Sequence, residues 1–398
     1  MRTTSRVLAA TASLALSALT LTACGSDSDS SKAAESTTSA AATGSVDLAA
    51  AGCPSTVVVQ TDWNPEADHG HLYQLLGPNP KIDADKKSVT GDLYAAGAPT
   101  GVKIEIRAGG PAIGYQNVSS QMYQDKSITL GYVTTDEAIQ FSKTMPTTGV
   151  FAENDKSAMM LMWDPATYPD VTSIADLGPA LEKDKSVVRY FNGAAYMEYL
   201  VGAGIIPKSV TDGSYDGTPS KFVTDKGKAA QQGFATAEPY IYEHEVKAWG
   251  KPVKFAQIAD TAWSPYPETM AVRTGDVSSL SGCLKALVPV MQQADVDYFK
   301  DPSTTNKLIV ELVDKYNNGW TYSEDVANYA VKTMKDLKIA TDGDNGYVGD
   351  QDEARITKLM EVAVPIYTKS KDSSVKDGLK ATDLFTNEFL DTKIGFGF

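Results

Sequence analysis

An aspartate, a tryptophan and a histidine crowd into the loop sequence Gln60-Thr61-Asp62-Trp63-Asn64-Pro65-Glu66-Ala67-Asp68-His69, directly after the apolar run Val57-Val58-Val59. The Asp62 carboxylate can accept hydrogen bonds from an amino-substituted ring, and it can equally cap a helix that starts after Pro65. Trp63 offers a flat indole face; stacking on a planar heterocycle is worth ~0.5 to 1.5 kcal/mol beyond area burial, and plain burial is the alternative. His69 lies one helical turn beyond Pro65 and can donate or accept in the same crevice, so Asp62, Trp63, Asn64 and His69 are the candidate ligand contacts here. His71, two residues on, falls on another helix face. That spacing argues against a metal pair, and with three histidines in the chain and no cysteine near these two, no metal site and no cofactor are expected.

Further candidates follow along the chain. Gly109 and Gly110 permit close backbone approach to a ligand, although Gly-Gly-Pro is also ordinary turn chemistry. Thr134 and Asp136 stand where a third strand gives way to a helix, suited either to ligand contact or to capping. Asn192 and Gly193 open a helix whose free N–H groups can hold a carbonyl or an anion. Glu238 ends a strand, and Tyr196, Tyr240 and Trp263 are candidates for an opposing aromatic wall. No Gly-x-Ser-x-Gly, HExxH or P-loop pattern occurs, so no catalytic residue is assigned and no enzyme activity is expected.

These residues need elements that bring them together, and the chain alternates strand-like runs with helix-period segments, a βα-repeating pattern. Strands are expected at 57–61, 102–107 and 128–133, with helices at 66–76, 117–124 and 135–145. Residues 77–101, rich in Pro, Gly and Asp, read as a surface insertion. Two strands, 148–152 and 158–163, then follow without a helix between them, which is where a chain can cross to another lobe. Ser173 with Asp176 has capping-box spacing at a helix start. A strand at 186–190, helices at 194–201 and 226–232, and strands at 233–236, 253–258 and 270–273 come next, before a mostly helical remainder. In an open α/β sheet the strand ends and the following helix starts share one crevice, and the candidates above fall at such points.

At the amino terminus, Arg2 and Arg6 precede an uncharged run, 7–23, that ends at Cys24. The run is shorter than the ~20 strongly apolar residues of a spanning helix and has no basic stop-transfer cluster, so it reads as an export signal. Leu21-Thr22-Ala23-Cys24 is similar to a bacterial lipobox, which makes Cys24 the expected lipid anchor on the outside of the bacterial cell membrane; an ordinary signal peptide is the alternative. Residues 24–52 are read as a flexible tether with an r.m.s. span of roughly 25 to 30 Å. Removal of the signal takes the formal charge from −14 to −16, with 34 basic against 50 acidic residues. So acidic a chain is a poor partner for nucleic acid or for anionic lipid beyond its anchor. With Cys24 acylated, Cys53 and Cys283 remain; in an exported chain they are expected to pair, unpaired thiols being the alternative. So long a closed loop is worth about 4 to 5 kcal/mol in the chain-entropy model. The organisation expected is signal 1–23, tether 24–52, first lobe 53–152, second lobe 153–262, and a return to the first lobe with C-terminal helices over 263–398.

The Asp62-Trp63-Asn64-Pro65 element with His69 after it resembles the opening loop of the NMT1/THI5-like solute-binding proteins, relatives of bacterial thiamine-pyrimidine-precursor carriers and of the SsuA-like sulfonate carriers. Three more elements match in order: Gly109-Gly110, Ser173 to Gly178, and Ala237-Glu238-Pro239-Tyr240, together spanning about 57–300. The resemblance implies an α/β, type II periplasmic-binding-protein fold: two doubly wound lobes joined by two crossing strands, with a helical C-terminal tail. It further implies a monomeric carrier that hands a small organic heterocycle, a thiamine pyrimidine precursor first, to an ABC permease and its ATPase. Riboflavin-like, sulfonate or nitrate solutes are the alternatives, and a sensory module is a further one. The eukaryotic pyrimidine synthases share this fold but carry a Cys-rich motif that this chain lacks. The 77–101 segment and the Asn64-Pro65-Glu66 order depart from the family pattern and bear on the identity of the ligand.

Overall fold

The computed structural model describes residues 46–398; the signal, Cys24 and the tether up to residue 45 lie outside the described residues. Twelve strands occur among them: β1 (Thr56–Gln60), β2 (Lys81–Asp83), β3 (Ser88–Ala95), β4 (Ala98–Arg107), β5 (Leu130–Tyr132), β6 (Thr147–Ala152), β7 (Met159–Trp163), β8 (Val188–Arg189), β9 (Thr211–Asp212), β10 (Ala230–Phe234), β11 (Lys254–Gln257) and β12 (Thr269–Arg273). The helices are α1 (Gly70–Gln74), α2 (Val118–Gln124), α3 (Thr135–Gln140), α4 (Ile174–Lys183), α5 (Ala195–Gly202), α6 (Ser220–Thr224), α7 (Glu238–Tyr240), α8 (Val277–Lys300), α9 (Ser303–Tyr316), α10 (Glu324–Asp336) and α11 (Glu353–Tyr367). No helix among the described residues is long and apolar enough to cross a membrane.

The strands form two sheets, ordered β2-β3-β4-β1-β5-β12-β6 and β11-β7-β10-β8-β9. Setting aside the edge pair β2 and β3, both sheets read alike: second, first, third, a strand arriving from the other lobe, then fourth. The visiting strand, β12 in one sheet and β7 in the other, is antiparallel to both neighbours, whereas β1 pairs in parallel with β4 and β5, and β8 with β9 and β10. Two lobes of one winding joined by two crossing segments, 153–158 and 258–268, make up the type II architecture. β1 is buried on both faces at Val57, Val58 and Val59, which is why a central parallel strand reads as an unbroken apolar run.

α11 holds the two crossings together. Its Arg355 guanidinium donates to Asp155 Oδ1 at 3.0 Å on the first crossing and to the Ser264 and Pro265 carbonyls at 3.0 Å each on the second. The same group lies 3.8 Å over the Tyr266 ring. In the first lobe the structure joins Cys53, just ahead of β1, to Cys283 on α8 by a disulfide.

Several local expectations need correction. Residues 77–101, read as a surface insertion, are an ordered edge hairpin, β2 and β3 running into β4, that widens the first sheet and buries Val89 and Leu93. Turn residues within and around it masked the strands. Residues 226–232 are not helical: β10 starts at Ala230 and lies between β7 and β8, where sheet pairing overrides the weak preferences of Ala and Gln. α3 stops at Gln140 rather than reaching 145. Leu48, counted with the tether, is fully buried, and its N–H donates to the Thr100 carbonyl at 2.9 Å. The capping arrangement at Ser173 is present, its hydroxyl accepting from the Asp176 N–H.

Candidate functional site

A cavity of about 220 Å³ lies between the lobes. Asp62, Trp63 and Glu66, just past β1, form one wall with Glu268, at the foot of β12, and Trp320, from the loop after α9. The opposite wall comes from the second lobe: Met159, Phe191, Tyr215, and the stretch from Gln232 at the end of β10 to Glu238. The Asp-Trp and Glu-Pro-Tyr segments therefore face one another across a common void. Below it the lobes touch directly, Thr236 Oγ1 donating to Asp68 Oδ2 at 2.9 Å.

The first-lobe wall is held from behind by the paired glycines. Gly110 N–H donates to the Asp62 carbonyl and Gly109 N–H to the Trp63 carbonyl, both at 2.8 Å. A Cβ on Gly109 would sit 2.3 Å from the Thr61 carbonyl oxygen, and one on Gly110, where φ is +53°, would sit 2.7 Å from the Trp63 ring. Only glycine lets the two loops approach so closely. The Trp63 indole is then wedged by Trp320, edge-on at 5.9 Å, and by Tyr115 at 6.0 Å. His69 is fully buried with Nε2 3.1 Å from Asp62 Oδ1, so it supports Asp62 from beneath.

In the second lobe, Glu238 caps the end of β10 by accepting from the Phe234 N–H at 2.7 Å. Gln232 is positioned by two donors to its Oε1, the Tyr196 hydroxyl at 2.6 Å and the Phe191 N–H at 3.1 Å. Four large hydrophobic residues are exposed among the described residues; Phe191 and Phe234 line this cavity and Tyr115 leans on its Trp63. Exposed aromatic surface gathered at one concavity marks a binding surface.

The charge of the cavity is one-sided. Asp62, Glu66, Glu238 and Glu268 line it, and no Lys or Arg does. Burial first, then repulsion from Asp68, Asp62, Glu268 and Glu238, pushes the Glu66 carboxyl well above its ordinary value. Burial and the charges of Asp62, Asp68 and Glu153 do the same to Glu268. Glu238 is raised by burial to about 7 against the opposing hydrogen bond from Phe234, and Asp68 by burial to about 6 against that from Thr236. For His69, burial favours the neutral ring, but the hydrogen bond and charge of Asp62 outweigh it and its pKa lies above the ordinary value. Carboxyl groups held protonated by burial and by one another's charge would ionise around a bound cation.

Of the residues singled out in the sequence, Asp62, Trp63 and Glu238 line the cavity, while His69, Gly109, Gly110 and Tyr196 stand directly behind its lining. The others lie elsewhere. Asn64 is buried and accepts from Asn318 Nδ2 at 2.6 Å. Thr134 caps α3, and Asp136 is bonded to the Thr134 and Tyr367 hydroxyls. Asn192 is exposed in a turn beside Gly213. Tyr240 packs on His244 and Tyr329, and Trp263 is buried against Tyr199 and Tyr367. Sequence reasoning missed Glu66, Phe191, Tyr215, Gln232, Phe234, Glu268 and Trp320. Glu66 lay inside the quoted motif and Phe234 beside it; Glu268 and Trp320 come from distant loops without any pattern.

No protein-family profile and no curated protein sequence matches the chain. Among solved structures it is similar to the periplasmic aliphatic sulphonate binding protein SsuA from Escherichia coli, at 12% identity over 82% of this chain and 96% of that one, with a TM-score of 0.49. It is also similar to the periplasmic nitrate-binding protein NrtA from Synechocystis PCC 6803, at 10% identity over 80% and 86% with a TM-score of 0.47. The desulfurization enzyme DSZB is similar too, at 9% identity over 84% and 97% with a TM-score of 0.44. It is the shared strand order of its two sheets, with one visiting antiparallel strand in each, that makes this chain a type II periplasmic-binding-protein fold.

Proposed function

We propose that the chain is the extracytoplasmic, lipid-anchored solute-binding component of an ABC importer, and that its solute is a small organic cation or amino-bearing heterocycle. The observation that carries this reading is the lining of the cavity: four carboxylates and five aromatic rings, Trp63, Trp320, Tyr215, Phe191 and Phe234, without a basic side chain. A cationic or protonatable ring gains from both, by charge-assisted hydrogen bonds to the acids and by cation–π contact worth ~0.5 to 2 kcal/mol per desolvated face. Sulfonate or nitrate would find no basic side chain to pair with, and its charge would hold the carboxyl groups in their protonated form. The volume, below the ~300 Å³ where drug-sized sites begin, suits a single ring rather than a riboflavin-like tricycle. An aminopyrimidine of the thiamine-precursor kind therefore comes first. Solute bound between the walls favours the closed state because only that state offers both sets of contacts, and the closed form docks on the permease.

Calorimetric titration of the purified protein tests the reading, with an aminopyrimidine, an aliphatic quaternary ammonium ion, an alkyl sulfonate and nitrate as separate probes. Micromolar binding of either nitrogenous probe, about −8 kcal/mol, supports it. Binding of sulfonate or nitrate alone would overturn it. Mass spectrometry of small molecules released from the denatured protein then narrows the ligand.

A further inference from the structure

His71 and His69 point to different sides of the first helical turn. His69 supports Asp62 under the cavity, whereas His71 faces the interior, where Glu153 and Asp295 approach it from two other elements: the start of the first crossing segment and the C-terminal third of α8. One donor atom from each of the three lies within 4.8 Å of the other two. All three side chains are buried, His71 and Asp295 completely and Glu153 with 3% exposure.

The hydrogen-bond accounting around this cluster is incomplete. His71 Nδ1 contacts a Glu153 carboxylate oxygen, and the Tyr132 hydroxyl donates to the other oxygen of Glu153. Yet both Asp295 oxygens and His71 Nε2 make no hydrogen bond. A buried carboxylate that accepts nothing, aimed at an imidazole and a second carboxylate, is an arrangement that folding does not favour without a counter-charge. No Lys or Arg supplies that charge at the cluster among the described residues.

We propose that His71, Glu153 and Asp295 bind a divalent transition-metal ion of the zinc class inside the first lobe. One imidazole and two carboxylates are the nitrogen-and-oxygen donor set this class takes, at donor distances of about 2.0 to 2.2 Å. The Tyr132 hydroxyl fixes the Glu153 carboxylate from behind, the kind of support that orients a metal ligand. The His71 ring is lodged edge-on against Phe151 at 5.5 Å. The ion would tie α1, α8 and the first crossing together, setting the hinge end of the first lobe independently of what the cavity binds. The site departs from the sequence reading, in which no metal site is expected because the His69 and His71 spacing argues against a pair; Glu153 and Asp295 are too distant in the chain for spacing to reveal them.

The test uses the full chain, stripped with a chelator, dialysed and titrated with Zn2+ and with Co2+ as a spectroscopic substitute. One equivalent of metal per chain by elemental analysis, with visible Co2+ absorption of a low-coordinate nitrogen-and-oxygen site, is expected. Asp295→Asn, folded by circular dichroism, should lower the stoichiometry at least tenfold; Glu153→Gln provides the same measurement if the first variant does not fold. The proposal is overturned if the wild-type chain retains neither ion. It is equally overturned if Asp295→Asn and Glu153→Gln retain a full equivalent, or if Asp62→Asn alone abolishes uptake, which would assign the metal to the Asp62, His69 and Glu268 group in the cavity.

Discussion

Two clusters of the same composition, one histidine with two acids, hang from adjacent turns of one short segment. Asp62, His69 and Glu268 open onto a void walled by aromatic rings, whereas His71, Glu153 and Asp295 are closed in on every side. The two-residue spacing sends the imidazoles to different sides of the helical turn. Gly70 between them, where a Cβ would lie 2.0 Å from the Tyr298 ring, lets α1 press onto α8. In the roles proposed above, identical side chains would serve an exchangeable guest on one side and a permanent internal partner on the other. What decides between the roles is whether solvent and a ligand can reach them.

The contrast can be broken at its most exposed point. Asp62→Ala should weaken binding of a cationic probe about a hundredfold, because a charge-assisted hydrogen bond is worth about 1.5 to 3 kcal/mol and the guest loses its nearest anion. A titration in which Asp295→Asn matters as much as Asp62→Ala would erase the distinction between the clusters. Gly70→Ala should cost about 1 to 3 kcal/mol of stability through overpacking against Tyr298, read from denaturant unfolding, and should disturb both clusters at once. Trp63→Ala should weaken binding at least tenfold with the fold intact; an unchanged dissociation constant would remove that ring from the site.

The smallest effect is also the one with the clearest sign. Glu238 near 7 and Asp68 near 6 hold protons in the folded protein that the unfolded chain, at ordinary values of 4.5 and 3.8, has already released. These two groups therefore make the ligand-free protein more stable as pH falls from about 7.5 to 5, measurable as a rising Tm. Cation affinity should run the other way over the same range, since the carboxylates must ionise to hold the guest. Glu238→Gln should flatten both trends; parallel rather than opposed trends would speak for a neutral guest.

Much of this arrangement was legible before any coordinates. The buried run at Val57 to Val59, the unbroken succession of β6 and β7, and the Ser173 cap follow from local patterning, and local patterning was enough for them. The Asp62-Trp63 loop was legible because strand ends point into a crevice. Glu268 and Trp320 were not, since each owes its position to a crossing or a tail that returns over the first lobe from far along the chain. Trp263 and Tyr240 show the converse: an aromatic ring in a promising stretch packs on its nearest neighbours, Trp263 in the interior and Tyr240 half-buried against His244 and Tyr329. The 77–101 hairpin was hidden because Pro, Gly, Asn and Asp dominate its composition, although β3 and β4 are the longest strands among the described residues.

Arg355 grips both crossings at once. Two ribbons that pass between bodies can in principle slide past each other, allowing one body to glide sideways. Pinned to a common planar group, they would have to twist in unison, like a door on a single pin, so that any opening of the gap between the walls would follow one arc.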